Sequence, residues 1–264
     1  KKLTKKFPAI SLLDADKTFG ITAGYKAIDY AIKDVKRYGI SMVVVKNSTH
    51  PGALASICLR AAIKGYGILG FTNADSLMLS HNGKRAFFGT NPIAFAWPRP
   101  DKTPIVYDMA TAAMALGDVQ VAARDGKKVP LGTGLDSEGK PTTEPSAIVK
   151  GGVLLPFGGY KGSGLSMMVE LLTAGLTGET FSDETKARDN ADGGPPIGGQ
   201  FLLAMSPEII AIDDWQNHCD LFFERISGLP GQGVRLPGER RHKNRLSNAP
   251  RHINIELLEK IASF

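Results

Sequence analysis

The feature that most limits what this chain can fold into is the run Ile40 to Val45, ISMVVV, set between two segments of helical periodicity. On its N-terminal side, Gly20 to Tyr38 carries Ile28, Ala31, Ile32 and Val35 at the spacing of one helix face, and Gly39 stops it. On the other side a second helical segment runs from Gly52 to Lys64, followed by the apolar run Ile68 to Phe71, which ends at Thr72-Asn73. Uninterrupted β-branched runs of this length are strands buried on both faces, and strand, helix and strand in this order are crossover units. The chain is therefore read as an α/β fold, opened by a short apolar strand from Phe7 to Asp14.

Further strands are expected at Ile93 to Trp97, Ile105 to Tyr107 and Phe201 to Met205. Helices are expected at Ala112 to Arg124, Asp213 to Ile226 and Ile253 to Ile261, and a loop from Pro230 to Arg241. The Gly/Asp/Pro-rich stretch Ser182 to Gly199 is long for a connection without a task. With 264 residues, 42% hydrophobic and 22% charged, the chain can bury a sizeable core. Its net charge of +6 collects near the ends, at Lys1, Lys2, Lys5 and Lys6 and from Arg235 to Arg251, without interleaved aromatics, so nucleic acid is not the expected partner. Two distant cysteines, Cys58 and Cys219, fit a reducing compartment rather than a disulfide framework or zinc site. No apolar run approaches the ~18 residues of a membrane span, and cytoplasm is the expected location.

Two glycine patterns bear on ligands. Residues 65–70, GYGILG, have the G-x-G-x-x-G order but follow a helix and run into a strand, the reverse of a dinucleotide fingerprint, and read as a helix stop. From Val153 to Gly175 a short apolar run leads into Gly158, Gly159, Gly162 and Gly164 around Lys161, then into a helix with Leu165, Met168, Val169 and Leu172 on an apolar face. Glycine lets backbone approach a ligand, and a helix start offers free N–H groups, so an anion site and a plain strand-to-helix turn both remain open. His50, just past the buried strand in KNSTHPG, has the pKa for acid/base work or a phosphate grip. Asp108 stands at a strand end, either functional or a cap of the Ala-rich helix after it. Thr90 and Asn91 either present hydroxyl and amide to a carboxylate or make the turn before a strand. The pair Asp213-Asp214 reads as helix-start acid, and His81, His218, His242 and His252 show no metal-ligand spacing, so no metal is expected.

Several strings together resemble one family. NSTHPGA, FGTNPIAFAWP, YDMATAAMALGDVQ, PTTEP, LLPFGGYKGSGLSMMVELLTAGLTG and LPGER stand in the order and approximate spacing of the type-2 malate/L-lactate dehydrogenases, over nearly the whole chain. That family includes ureidoglycolate, sulfolactate and diketogulonate dehydrogenases and the Δ1-piperideine-2-carboxylate/Δ1-pyrroline-2-carboxylate reductases. The resemblance implies a non-Rossmann, mixed α+β cofactor-binding fold with a mixed seven-stranded sheet and flanking helices, working as a homodimer. It implies a discontinuous substrate and dimerisation domain, residues 1–52 and 225–264, around an inserted cofactor domain, residues 53–224. Carried over by position, His50, Asp108, Met109, Ala110, Leu116, Gly117, Lys161, Gly238, Glu239 and Arg240 are cofactor contacts and Thr90 a substrate contact. His50 also matches the proton acceptor of some members. Others use a histidine in an N-terminal Ser-His-Gly motif that this chain lacks, so the main acid/base histidine is expected in a segment preceding Lys1. FGTNPIAFAWPR with FGGYKGSGLSMMVELL and DGGPPIGG is most similar to the cyclic imino-acid reductases. That implies hydride transfer from NAD(P)H to C2 of a small 2-imino acid, with malate/lactate-type 2-hydroxy-acid oxidation the alternative on the same frame. A catalytically reduced nucleotide-binding protein is the alternative of another class. Arg240, Arg241 and His242 suit a 2′-phosphate, which favours NADP(H) over NAD(H).

Overall fold

The computed structural model describes residues 1–188, 197–231, 233–247, 249–250 and 255–263. The chain begins with strands β1 (Lys2–Phe7) and β2 (Ile10–Asp14), then α1 (Gly20–Tyr38), β3 (Ile40–Thr49), α2 (Leu54–Ala62) and β4 (Gly67–Thr72). The short strands β5 (Met78–Leu79) and β6 (Ala86–Phe88) precede β7 (Ile93–Trp97) and β8 (Ile105–Met109). There follow α3 (Leu116–Arg124), β9 (Gly134–Leu135), β10 (Pro141–Thr142), α4 (Pro145–Val149), β11 (Val153–Leu154) and α5 (Tyr160–Glu170), which widens into a π-helical turn over Leu171–Gly175. A 3₁₀ helix at Ser182–Arg188 leads towards β12 (Ile197–Met205), α6 (Pro207–Ile210), α7 (Trp215–Ser227), α8 (Glu239–Leu246) and α9 (Ile255–Ala262).

The main sheet is mixed and seven-stranded, in the order β1-β2-β3-β12-β4-β7-β8. β2 and β3 are parallel, as a crossover through α1 requires, and every other pairing is antiparallel. β12 lies between β3 and β4, pairing Phe201 with Val44 on one side and with Phe71 on the other. A smaller five-stranded sheet, β10-β9-β11-β5-β6, comes from short segments that sequence periodicity does not distinguish from loop. The expected boundary at residues 52/53 falls between β3 and α2, and strands from both sides of it share the main sheet.

Helices α1 and α2 cover one face of that sheet with Ala23, Ala27, Ile28, Val35, Ile57 and Cys58, against Val43, Val45, Ile68 and Leu202. Full burial of a Val, Ile or Leu side chain contributes about 1.5–3 kcal/mol, which makes this layer the main source of stability. Its start is glycine by necessity, because a Cβ on Gly20 would stand 2.0 Å from the Thr49 carbonyl oxygen. Gly39, at φ +76, ends α1 and donates its N–H to Val35 O.

Several expectations need correction. The opening strand is a hairpin: Lys2–Phe7, read as a basic cluster, pairs antiparallel with Ile10–Asp14. Helix α3 begins at Leu116 rather than Ala112, because Ala112 bridges Pro156 and Ala113 donates to Leu155 O. The loop from Pro230 ends at Gly238, with Glu239 to Arg241 already in α8. The buried side of α5 is mostly polar, namely Gly162, Ser163, Ser166, Val169 and Glu170, while Met168 faces solvent. Residues 189–196, including most of DGGPPIGG, and residues 251–254 at the expected start of the last helix lie outside the described residues. Gly65, at φ +89, does end the helix before β4 as GYGILG suggested, and Asp214, just before α7, accepts from Asn217 Nδ2.

Replacing Gly20 with alanine is predicted to destabilise the protein by about 1–3 kcal/mol by overpacking. Gly164→Ala, where no atom lies within 4 Å of the added carbon, should raise stability by about 0.4–1 kcal/mol. Urea midpoints of the two variants check the opposite signs.

Candidate active site

Antiparallel pairing on either side of β12 brings a set of strand ends to one edge of the main sheet. The C-terminal ends of β3, β4 and β8 and the N-terminal ends of β7 and β12 meet there, as the pairs Ile197 with Thr49, Gln200 with Thr72, Phe71 with Ile93 and Ile93 with Met109 show. His50, Thr90 and the run from Asp108 to Ala110 all follow or precede these ends, so the sheet gathers them from three stretches of sequence.

His50 borders a small recess with Ser48, Thr49, Thr72, Asn73, Ala74 and Gly198. Part of the residue stays in solvent, yet protein crowds the ring enough that burial pulls its pKa below 6.5, partly offset by the charge of Asp75. The downward shift favours the uncharged imidazole, which suits hydrogen bonding or accepting a proton more than a cationic grip on phosphate. Its backbone is held from behind: Gln200 Nε2 donates to Ser48 Oγ at 2.6 Å and to Gly20 O at 3.1 Å, and Gly20 N–H donates to Thr49 Oγ1 at 3.0 Å.

Asp108 does not cap the helix that follows it. Its Oδ2 accepts the N–H of Ala55 at 2.8 Å, in the first turn of α2, whose own preceding residue, Ala53, offers no side-chain cap. Burial raises the Asp108 pKa, opposed by the Ala55 N–H and the charge of Arg241. The bond ties the end of β8 to the loop that carries His50 and uses an orphan donor of the helix start.

Thr90 is fixed through its carbonyl oxygen, which accepts both the N–H of Thr111 at 2.8 Å and its hydroxyl at 3.0 Å. Asn91 is fully buried, so its amide faces the interior and not a ligand. The glycine loop docks on the same spot: Phe157 N–H donates to Thr111 O at 3.0 Å, and a Cβ on Gly162 would lie 2.6 Å from that oxygen. Consecutive left-handed residues Gly158 (φ +56) and Gly159 (φ +62) make the turn. Lys161, beside Gly162, is exposed, and among the described residues its ammonium has no ion-pair partner.

Gly238 lies along the free edge of β8: Val106 N–H donates to Pro237 O at 3.2 Å, and a Cβ on Gly238 would be 2.9 Å from Val106 O. The basic cluster after it divides. His242 Nε2 is engaged with Pro104 O at 3.0 Å, and Glu239 and Arg240 are exposed on the first turn of α8. Arg241 and Arg245, one helical turn apart, line a cavity of about 620 Å³ with Ala53, Ala55, Ser56, Arg60 and Val106. Arg60 is already bidentate on Asp29, at 2.9 and 3.0 Å, whereas Arg241 and Arg245 are in no salt bridge among the described residues. Arg245 escaped sequence reasoning, although its i+4 spacing from Arg241 was a usable signal. Leu116 and Gly117 stand at the start of α3, where Leu116 packs against the second core around Met78 and Leu154, and are not brought to the strand ends.

The candidate site thus collects strand ends and basic turns of a mixed α/β sheet, and GYGILG, which ends a helix and enters β4, is not a dinucleotide fingerprint. The chain belongs to the malate/L-lactate dehydrogenase family, which it matches over residues 1–261. It is 39% identical over 255 residues, 95% of this chain and 74% of the relative, to a Δ1-pyrroline-2-carboxylate/Δ1-piperideine-2-carboxylate reductase of Pseudomonas syringae pv. tomato. It is 38% identical over 230 residues, 87% of this chain and 68% of the relative, to a (2R)-3-sulfolactate dehydrogenase (NADP(+)) of Chromohalobacter salexigens. Among solved structures, the Δ1-piperideine-2-carboxylate reductase of P. syringae superposes with a TM-score of 0.87 over 92% of this chain and 73% of that one, at 39% identity. The sulfolactate dehydrogenase of Methanocaldococcus jannaschii does so with 0.86 over 97% and 75%, at 31%. The chain is thus an oxidoreductase of this family.

Because the folded-state pKa of His50 lies below its ordinary value, its protonation opposes folding as pH falls through 6.5 and has no effect well above it. His50→Gln should therefore lose less melting temperature than the parent between about pH 7.5 and pH 5.5. Calorimetric scans at the two pH values check this.

Proposed function

We propose that the protein is an NAD(P)H-dependent reductase of small cyclic 2-imino acids. The carrying observation is that the strand-end site assembles around Thr90, Asp108 and the Gly158–Lys161 loop in a chain whose relatives include several imino-acid reductases. The reduced nicotinamide supplies the hydride when bound. Hydride addition at C2 of the planar C=N places the π electrons on nitrogen, which takes a proton. Thr90 contacts the substrate carboxylate, and His50 serves the cofactor loop and the proton balance.

The cofactor fits the residues present. Gly158 and Gly159 open the turn before Lys161, and the Arg241–Arg245 cavity offers charge not already used. In this reading Asp108, Met109 and Ala110 border the nicotinamide nucleotide and Lys161 meets its phosphates. Arg241, rather than Arg240, meets a 2′-phosphate, which favours NADPH over NADH. Leu116, Gly117, Glu239 and Arg240 remain proposed cofactor neighbours. So do a cytoplasmic location, a homodimer, and the division of labour between residues 53–224 and the two flanking segments. A second reading, oxidation of a 2-hydroxy acid, has the sulfolactate dehydrogenase relatives in its favour.

The purified protein should consume NADPH, followed at 340 nm, with Δ1-piperideine-2-carboxylate. Turnover only with 2-hydroxy or 2-oxo acids would favour the second reading. NADPH binding without turnover of any of them would leave a catalytically reduced nucleotide-binding protein. Arg241→Ala should raise the KM for NADPH about tenfold or more, as loss of a charge-assisted hydrogen bond does, and leave that for NADH nearly unchanged. Lys161→Ala should weaken both cofactors while shifting the melting temperature little. A lowered melting temperature with unchanged cofactor binding would make Lys161 structural.

A further inference from the structure

Behind the Thr90–Asn91 turn lies a polar cluster that the proposed reaction does not use. Glu170, the last residue of α5, is buried, as are Asn91, Ser166 and Ser182 around it. Asn91 Nδ2 donates to Glu170 Oε1 at 2.7 Å and to Ser166 Oγ at 2.8 Å. The Ser182 hydroxyl also donates to Oε1, and the Ser182 N–H donates to Oε2 at 3.2 Å. On its other side the Asn91 amide accepts the N–H of Ala74 at 3.2 Å through Oδ1. Asn91 itself is held at φ +35, a left-handed conformation that costs energy outside glycine and persists only where its surroundings enforce it.

An amide is nearly symmetric in shape, so its orientation is decided by which neighbours can only accept and which can only donate. An ionised carboxylate only accepts. Glu170 and the Ser166 carbonyl both take the Asn91 NH₂, and the donor-only Ala74 N–H meets Oδ1 on the other side, beside the His50 recess. Burial raises the Glu170 pKa, its hydrogen bonds from Ser182 and Asn91 hold it down, and the charge of Asp183 adds to the rise. A buried carboxylate is a costly way to fill space, which is a reason to ask what it secures. The π-helical turn that begins at the next residue is the kind of local widening found at functional sites.

We propose that Glu170 is a positioning residue of the substrate site: its buried carboxylate anchors the Asn91 amide, whose other end the Ala74 N–H holds, and so keeps Thr90 and the Ala74 segment at the strand ends. The proposal rests on the reading of Thr90 as a substrate contact. A glutamine at 170 has one acceptor oxygen for the Asn91 NH₂ and the Ser182 N–H together, so one of these bonds is lost and the hold on Asn91 loosens.

The test is steady-state kinetics with Δ1-piperideine-2-carboxylate and NADPH on Glu170→Gln, Thr90→Val and the double variant. Glu170→Gln is expected to raise the substrate KM about tenfold, the worth of one hydrogen bond to a charged group, while the KM for NADPH and the far-ultraviolet circular dichroism stay at parent values. In the double variant, Glu170→Gln should add less than about twofold to the effect of Thr90→Val, because both act on one contact. An unchanged substrate KM in folded Glu170→Gln, or full multiplication of the two effects, overturns the positioning role. An unchanged KM in Thr90→Val alone overturns the reading of Thr90, and with it the route proposed for Glu170. If Glu170→Gln does not fold, Ser182→Ala, which removes one donor and keeps the charge, should raise the substrate KM about threefold, and no change there counts against the proposal.

Discussion

Everything at the candidate site depends on β12 pairing with both β3 and β4. Residues 197–205 enter the sheet more than a hundred residues after the strands they separate, and they run antiparallel to both. That insertion puts the C-terminal ends of β3 and β4 level with the start of β7 and the end of β8. It also buries Gln200 where its amide can brace Ser48 and Gly20, just before His50. The helical layer over Val43, Val45 and Leu202 supplies the apolar burial that makes the arrangement stable.

The electrostatics at that edge are local and made of few groups. Asp108 meets the positive start of α2, so a carboxylate and a helix end compensate each other close to the loop that carries His50. Arg241 bears on the same carboxylate from α8 while facing the basic cavity, which links the cofactor's expected anionic end to the end of β8. The glycine loop approaches Thr111 so closely that position 162 admits no side chain. Lys161 is carried there by backbone geometry rather than by any pairing of its own.

Much of the frame was legible in the chain because its buried strands are continuous apolar runs and its long helix has a clear period. Ile40 to Val45 and Ile93 to Trp97 lie within or coincide with β3 and β7, and Gly20 to Tyr38 is α1 from end to end. What was not legible depends on partners far apart in sequence. Lys2–Phe7 is a strand only because β2 pairs with it, against the grain of its composition. The helix after the glycine loop reads with Met168 on its apolar face, whereas Met168 faces solvent and Glu170 is buried, its partner Asn91 lying 79 residues away. The adjacent residues Arg240 and Arg241 looked equivalent as a basic run, yet about 100° of helix rotation separates them and only Arg241 faces the cavity.

The proposed cofactor site is one end of the seven-stranded sheet, closed by the glycine loop and the first turns of α8. Amide hydrogen exchange with and without NADPH tests it most directly. Slower exchange on adding NADPH is expected in residues 48–56, 106–111, 157–163 and 238–245, with residues 97–102 and 206–216 at the opposite end unchanged. Protection confined to that opposite end, where a cavity of about 760 Å³ lies between Tyr66, Arg99 and Trp215, would contradict it.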